Sequence, residues 1–586
     1  MDKKNTTIGV VLLLAAFGFI YFSPRATPPA PAPAETTAAA TTTAATPPAA
    51  TPFGSSGANT ATALAAQQAP TQATVTTLAN EFIEARFTDF GGALAEVALK
   101  KYPEKQDSKE PFVFNQLHAD PMLALVDFPG LDRNARFERV AHSATEVVYR
   151  AVLDNRLEVT RRYTLTAGPA SDPYQVRHEL TFRNLSDQVS PPMRVALALG
   201  TAAPSGKDDP GLQLKSAYSS NGDQHFIPRS DLEASNGIFG LRAHGATPAV
   251  NSGGPITWAA VKNQYFTSIL TGDEPASGLV TRRVKLAVSA ADETPNAYGL
   301  TGAAQFEVKA IAGKAETKLT GTLYVGPMEY RRLANGNAFK ADQDKIMDFG
   351  FFKFFSQILL TLMTWIHGWV NNWGVAIILT TLSLKTIFIP FTLAASKSAK
   401  RMAKIQPELQ ALREKYKDNP QKQQQATMEL FKSRKINPVG GCFPILITIP
   451  FFMGFFSMLQ STAELRLAPF LWALDLSSTD TIATLFGFLP VNIMPVLMGA
   501  TMVVQMHLTP SPSVDNAQAK MMKFMPYIFT LFCYNFSCAL SLYSFVNGLF
   551  TIVQQLVINR MKDPVEAAPV AVGPGGKVIK NVTPKK

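Results

Sequence analysis

Hydrophobic and polar positions alternate along one part of this chain and segregate into long apolar runs along another. Tyr174, Val176, His178, Leu180 and Phe182 alternate with Gln175, Arg177, Glu179, Thr181 and Arg183, the period-two signature of a half-buried strand. Similar runs at 157–166, 256–270, 304–311 and 319–325, separated by Gly, Pro, Asn and Asp clusters, predict a large β-sandwich over residues 81–345. Beyond 345 the pattern changes. Residues 346–372 combine Phe349, Phe351, Phe352, Phe354 and Phe355 with Trp365 and Trp369 one helical turn apart. This predicts an amphipathic helix lying at an outer membrane interface, where indole rings favour the headgroup zone.

The apolar runs predict membrane spans. Residues 374–395 have Lys385 as their only formal charge and, at ~1.5 Å per residue, are long enough to cross ~30 Å of hydrocarbon. Further runs lie at 442–459, 482–506 and 524–559, the last holding two short spans if the chain turns at Phe536, Ser537 and Cys538. At the other end, Asp2, Lys3 and Lys4 precede an uncharged run at 8–22, read as a signal anchor or as a cleaved signal with Ala30 and Ala32 marking a small-residue site. As an anchor it makes six spans. The stretch 23–80 is mostly Ala, Thr and Pro with only Arg25 and Glu35 charged, a composition that predicts a disordered tether.

Charge sharpens this picture. The chain has 586 residues, of which only 17% are charged, yet its formal charge is +11. The loop at 396–436 holds 11 basic residues against Glu408, Glu414, Asp418 and Glu429. The tail 561–586 is basic, whereas the loop 461–481 sets Arg466 against Glu464, Asp475 and Asp480. Positive charge thus falls on one side of every short loop, which places both termini in the cytoplasm and the β-domain outside. Residues 81–345 hold 30 basic and 31 acidic residues, so nothing there invites nucleic acid. Cys442, Cys533 and Cys538 all lie in apolar stretches, where a buried small hydrophobe is the expected role and no disulfide scaffold is possible.

Lys385 is the sharpest candidate for function. A mid-span charge costs ~2.5–3.5 kcal/mol, and no Asp or Glu lies in a predicted span to pair with it, so it is expected to face a wet cavity. Thr381 lies one turn earlier, and Ser541, Ser544, Asn547, Thr551 and Gln555 recur along the last span at spacings of three and four. With Gln460 and Gln505 they predict a hydrophilic groove bearing one positive charge. Met494, Met498, Met502 and Met506 form a stripe that is either helix packing or a pliable apolar slide. In the basic loop, a break at Asp418, Asn419 and Pro420 predicts a cytoplasmic helical hairpin over 396–436. Its Lys400, Arg401, Lys404, Arg413 and Lys415 are candidates for docking anionic lipid, a ribosome or an acidic nascent chain. His118, His142, His178, His225 and His244 show no metal-ligand spacing and no nucleophile motif accompanies them. No metal or cofactor is expected.

The sequence of Asn437, Pro438, Gly440, Gly441, Cys442 and Pro444, the basic hairpin before it, Glu464, Leu465 and Arg466 after it, and Thr551 to Gln555 in the last span resembles the bacterial YidC membrane protein insertases. The order of parts matches the Gram-negative form, over nearly the whole chain. The resemblance implies an uncleaved anchor, a periplasmic β-super-sandwich related to sugar-binding folds, a five-span core at 373–560 and no enzymatic reaction. It implies insertion of nascent inner-membrane proteins alone or with the Sec translocon and its accessory subunits, fed by ribosomes or a signal-recognition pathway. A groove arginine of that family corresponds to Lys385, a functional threonine to Thr381, and a tyrosine pair to Tyr543 and Ser544. Lysine keeps the charge but lacks the bidentate fork, which favours general electrostatic attraction over fixed geometry. A secondary transporter or a membrane-anchored sugar-binding or sugar-modifying protein is the competing class, although no internal repeat, intramembrane carboxylate or P-loop is present.

Overall fold

The computed structural model describes residues 64–65 and 73–560, apart from 107, 118–119, 130, 132–134, 167, 169–170, 206–208, 210, 236–244, 287–296, 341, 418, 435–442, 487–488 and 509–516. The expected anchor at 8–22, the tail at 561–586, His118, His244, Cys442 and most of the Asn437 to Pro444 motif lie outside these residues.

Alternation builds the first half. Gln175–Asn184 pairs antiparallel with both Leu157–Leu165 and Glu316–Pro327, setting Leu180 opposite Leu319 and Arg161. One face of this strand, with Val176, His178, Leu180 and Phe182, is buried. Among the described residues, fourteen strands join this sheet, and Val75–Ala79, Ile83–Thr88, Ala93–Pro103 and Pro111–Phe114 form a second sheet of four. The two share one core: Phe87 packs on Tyr163 at 4.8 Å, and Tyr163 donates to the Gly92 carbonyl at 2.8 Å. His178 stacks on Tyr163, and burial beside Arg161 holds its imidazole neutral, well below its ordinary pKa.

The tether expected at 23–80 ends earlier than composition implied. Val75–Ala79 is a strand burying Thr76 and Leu78, and Leu64–Ala65 pairs in parallel with Val284 and Lys285. A short alternating run built from Thr and Ala is indistinguishable by composition from the tether before it. At the other boundary the segment 336–345 crosses the large sheet. Trp258 donates to Asp342 at 2.9 Å and Gln343 to Thr271 at 2.6 Å, bounding a polar cleft of about 800 Å³.

Among the described residues eight helices follow: α1 (Lys353–Val370), α2 (Trp373–Lys404), α3 (Gln406–Lys415), α4 (Pro420–Ser433), α5 (Phe443–Ser461), α6 (Ile493–Leu508), α7 (Ala517–Phe532) and α8 (Cys538–Arg560). The aromatic segment at 346–372 is not one helix. Left-handed backbone at Asp348 and Gly350 separates the 3-10 turn Gln343–Met347 from a second one, Gly350–Phe352, which runs directly into α1. α1 buries Leu359, Leu360, Met363 and Ile366 while exposing Phe354, Trp365 and Trp369. Ser356 donates to the Gly454 carbonyl of α5 at 2.9 Å, a close approach that glycine permits.

Two further boundaries move. The run 482–506 is not a continuous span: its first part is a β-hairpin, Thr481–Leu485 with Leu489–Asn492, and only α6 is helical. Unbroken apolarity cannot separate a strand from a helix at this length. The run 524–559 divides at 533–537, a break that includes Phe536 and Ser537 of the expected turn, while Cys538 already opens α8 and α7 begins earlier than expected, at Ala517. α2 continues through Pro390 to Lys404, so the first helix expected in the basic loop is an extension of the helix that begins at Trp373. The segments Trp373–Ala394 and Cys538–Arg560 are long and apolar enough to cross a membrane; Ile449–Ser461 and Ile493–Leu508 are shorter apolar helices.

Candidate functional site

α8 packs between α2 and α6, and this places the polar residues of three helices on common seams. Lys385 Nζ donates to Thr551 Oγ1 at 3.0 Å, while the Thr551 hydroxyl donates back to the Asn547 carbonyl at 2.8 Å. Both side chains are half-buried. Among the described residues this is the one hydrogen bond made by an ammonium that carries three donors. Farther along the same seam Gln554 donates to Thr392, which sequence reading missed. The signal was present in the spacing: Gln554 follows Thr551 by three residues, and Thr392 follows Lys385 by seven, two helical turns.

On the opposite flank of α8 the backbone at Gly548 lies so close to α6 that a Cβ there would sit 2.4 Å from Thr501 Oγ1 and 2.9 Å from Gln505 Nε2. Gln505 therefore lies one turn of α8 from Thr551. Thr381 is buried and its hydroxyl closes on the Ile377 carbonyl of its own helix at 2.7 Å. Ser544 and Asn547 are half-buried on α8. Gln555 pairs along its own helix with Asn559 at 3.0 Å.

Two expected roles change, and burial of the Met stripe favours packing over the slide. Tyr543 is buried and stacked on Phe455 at 4.2 Å, so it serves the α5–α8 contact and does not line a groove. Gln460 lies at the end of α5, where its carbonyl accepts from Gln264 of the β-domain at 3.0 Å, away from the Lys385 seam. Met494 and Met498 are buried and Met502 is half-buried, so the stripe packs inward; the exposed apolar residues of α6 are Val496 and Val504. On α2 and α3 Arg401, Lys404 and Lys415 are exposed, while the side chains of Lys400 and Arg413 are outside those described. Arg434 joins Glu408 at 2.6 Å, tying the end of α4 to α3. Among the described residues no group of His, Cys, Asp or Glu could hold a metal.

The family model of the YidC periplasmic domain matches residues 75–362, and that of the 60Kd inner membrane protein matches 365–565. The membrane protein insertase YidC of Burkholderia multivorans is 32% identical over 97% of this chain and all of its own length. The chain belongs to the YidC membrane protein insertase family. The YidC insertase of Tolumonas auensis is also 32% identical, over 83% of this chain and 86% of its own. A crystal structure of an active YidC insertase with its first transmembrane domain resolved shares 18% identity, covering 83% of this chain and 93% of that one with a TM-score of 0.33. The family assignment rests on the sequence matches.

In this family member the loop after α5 joins the helices to the β-domain. Arg466 donates to the carbonyls of Pro103 and Glu104, each at 2.6 Å, and its guanidinium lies 5.5 Å from the Phe112 and Phe266 ring centroids. Asp480 accepts from Trp472 at 2.9 Å and from the Met494 backbone at 2.7 Å. The Ser478 and Leu476 carbonyls receive the first N–H groups of α8, at Cys538 and Ala539, supplying partners that a helix N-terminus lacks. Glu464 Oε2 is sealed from solvent with no hydrogen-bond partner, and burial together with nearby Glu329 raises this carboxyl to about 8.

Proposed function

We propose that this chain inserts nascent membrane proteins into a bacterial inner membrane. The reading rests on family membership and on one observation: an ammonium half-buried between two apolar helices, held by a hydroxyl and without an acidic partner among the described residues. In the proposed topology both termini are cytoplasmic, the β-domain is periplasmic and six spans cross the bilayer. α1 lies on the outer leaflet.

A hydrophilic flank of the substrate enters the seam beside Lys385. There the ammonium and the Thr551 and Gln554 side chains lower the cost of taking polar groups out of water, a cost of several kcal/mol for an unpaired group. The charge selects acidic or polar segments and repels cations. The substrate's apolar helix then moves into lipid, and burial of its surface drives that last step. With α6 only 16 residues long, about 24 Å as helix, the hydrocarbon to be crossed is locally thinned. The exposed basic residues of α2 and α3 meet ribosomes or anionic lipid, and the Sec translocon serves as partner for larger substrates. No covalent chemistry is needed.

Insertion of a substrate with an acidic translocated tail into vesicles containing the purified chain tests this reading. Lys385→Ala should reduce it roughly tenfold, the loss of one charge-assisted interaction, while Lys385→Arg should retain most of it. Equal loss with both variants overturns the electrostatic account.

A further inference from the structure

The hairpin at Thr481–Leu485 and Leu489–Asn492 stands in the stretch where sequence pattern implied the start of a span. From 481 to 506 the sequence contains no charged residue. The hairpin nonetheless leaves its apolar side chains uncovered: Ile482 is 54% exposed, Leu485 47%, Phe486 82% and Leu489 46%. Beside it in the chain, Leu471, Trp472 and Leu474 are exposed as well. An apolar patch of this extent marks a surface that meets something other than water.

Its base is fixed by polar contacts. Asn492 Nδ2 donates to the Tyr534 carbonyl at 2.9 Å, the Tyr534 hydroxyl donates to the Pro490 carbonyl at 2.6 Å, and Thr481 donates to Asn492 Oδ1 at 2.6 Å. The next residue, Ile493, begins α6. The hairpin is therefore held on the N-terminal end of α6.

We propose that this hairpin is an outer-leaflet docking finger, seated at the boundary between headgroups and acyl chains. Two opposing requirements set its depth. A two-stranded ribbon has unpaired N–H and C=O groups along both outer edges, which cannot enter hydrocarbon without a large penalty. Leu485, Phe486 and Leu489 at its tip favour leaving water. Only the interfacial layer meets both requirements, because headgroups and their water satisfy the edges while the tip reaches the first acyl carbons. The occupant of the apolar face is thus phospholipid, and the finger adds an interfacial lipid contact at the end of α6. Trp472, hydrogen-bonded to Asp480 at the same end of α6, lies where an indole anchors an interface.

The proposal rests on the reading of α6 as a span, and its test separates the two. The full chain, with its three cysteines replaced, carries a single spin label at Phe486→Cys and is reconstituted in vesicles of phosphatidylethanolamine and phosphatidylglycerol. Val504→Cys on the exposed face of α6 and Leu212→Cys on the β-domain serve as lipid and water references. The finger predicts that the label at 486 is more accessible to oxygen than to a water-soluble nickel chelate, at a shallower depth than the label at 504. Aqueous accessibility at 486 with lipid accessibility at 504 overturns the finger alone, and aqueous accessibility at both overturns the spanning reading of α6. Shielding at 486 that occurs in native membranes and is absent in pure lipid vesicles overturns the lipid occupant in favour of a protein. A second variant, Phe486→Asp, should shift a label at Leu485→Cys toward water; an unchanged accessibility there also overturns the proposal.

Discussion

The ammonium of Lys385 and the hydroxyl of Thr551 meet at 3.0 Å, joining the second predicted span to the last across 166 residues of chain. The hydroxyl can accept this bond because its own proton is committed to the Asn547 carbonyl. Thr551 therefore orients the charge without neutralising it, and among the described residues no carboxylate pairs with Lys385.

A double-mutant cycle follows from that arrangement. Thr551→Val keeps the shape of the side chain and removes the acceptor, so insertion of substrates with acidic tails should fall a few-fold, consistent with ~1 kcal/mol for one hydrogen bond. In a Lys385→Ala background the same change should have little further effect. Additive losses in vesicle insertion assays would show that the two residues act independently.

Gly548 sets the distance between α6 and α8. In Gly548→Leu the Cβ would meet the Thr501 side chain, including its Cβ at 2.8 Å, so the helices must part. Overpacking of this kind costs ~1–3 kcal/mol. The thermal midpoint in detergent should fall by several degrees, whereas Gly336→Ala on the β-domain, where nothing lies within 4 Å, should leave it unchanged.

Glu464 makes the junction between helices and β-domain sensitive to pH. Its carboxyl is raised to about 8 when docked, against 4.5 in water, so the docked state binds the proton more tightly. Docking is then fully favoured below about 4.5 and weakens as pH rises toward 8, by up to a few kcal/mol. Protease sensitivity of the loop at 461–481 should increase over that window. Glu464→Gln, which mimics the protonated acid, should flatten the increase; an unchanged pH profile in that variant would assign the effect to another group.

Arg466 fastens the same junction through two carbonyls and two aromatic faces. Arg466→Lys supplies one cationic point in place of a planar fork and should behave nearly like Arg466→Ala. Both should loosen the loop by ~2–4 kcal/mol, measured as faster amide exchange at 466–478. Retained protection in the lysine variant would show that charge alone suffices.

Much of this was legible in the chain. Alternation from Tyr174 to Phe182 identified a strand because the core packed against the sheet buries one face of it, and period two survives burial of one face. Lys385 stood out because a single charge in an apolar run has few structural explanations. The Met494 and Met498 stripe was ambiguous for the opposite reason. Apolar spacing on a membrane helix looks the same whether it faces a neighbour or lipid, and here it faces inward.

By itself the sequence determined the order of parts, the uneven placing of charge along the loops, the strand-rich first half, the apolar second half and the one charge out of place. These are one-dimensional properties, set by composition and short periods. Only the tertiary structure decided which polar residue meets that charge, since Thr551, Gln554 and Gln505 are equivalent until the rotation of α8 between α2 and α6 is set by contacts such as Gly548 on Thr501. It also decided that part of an uncharged run folds back as a hairpin. Its base is held by Asn492 and Tyr534, 42 residues apart, and a pairing over that distance leaves no trace in local pattern.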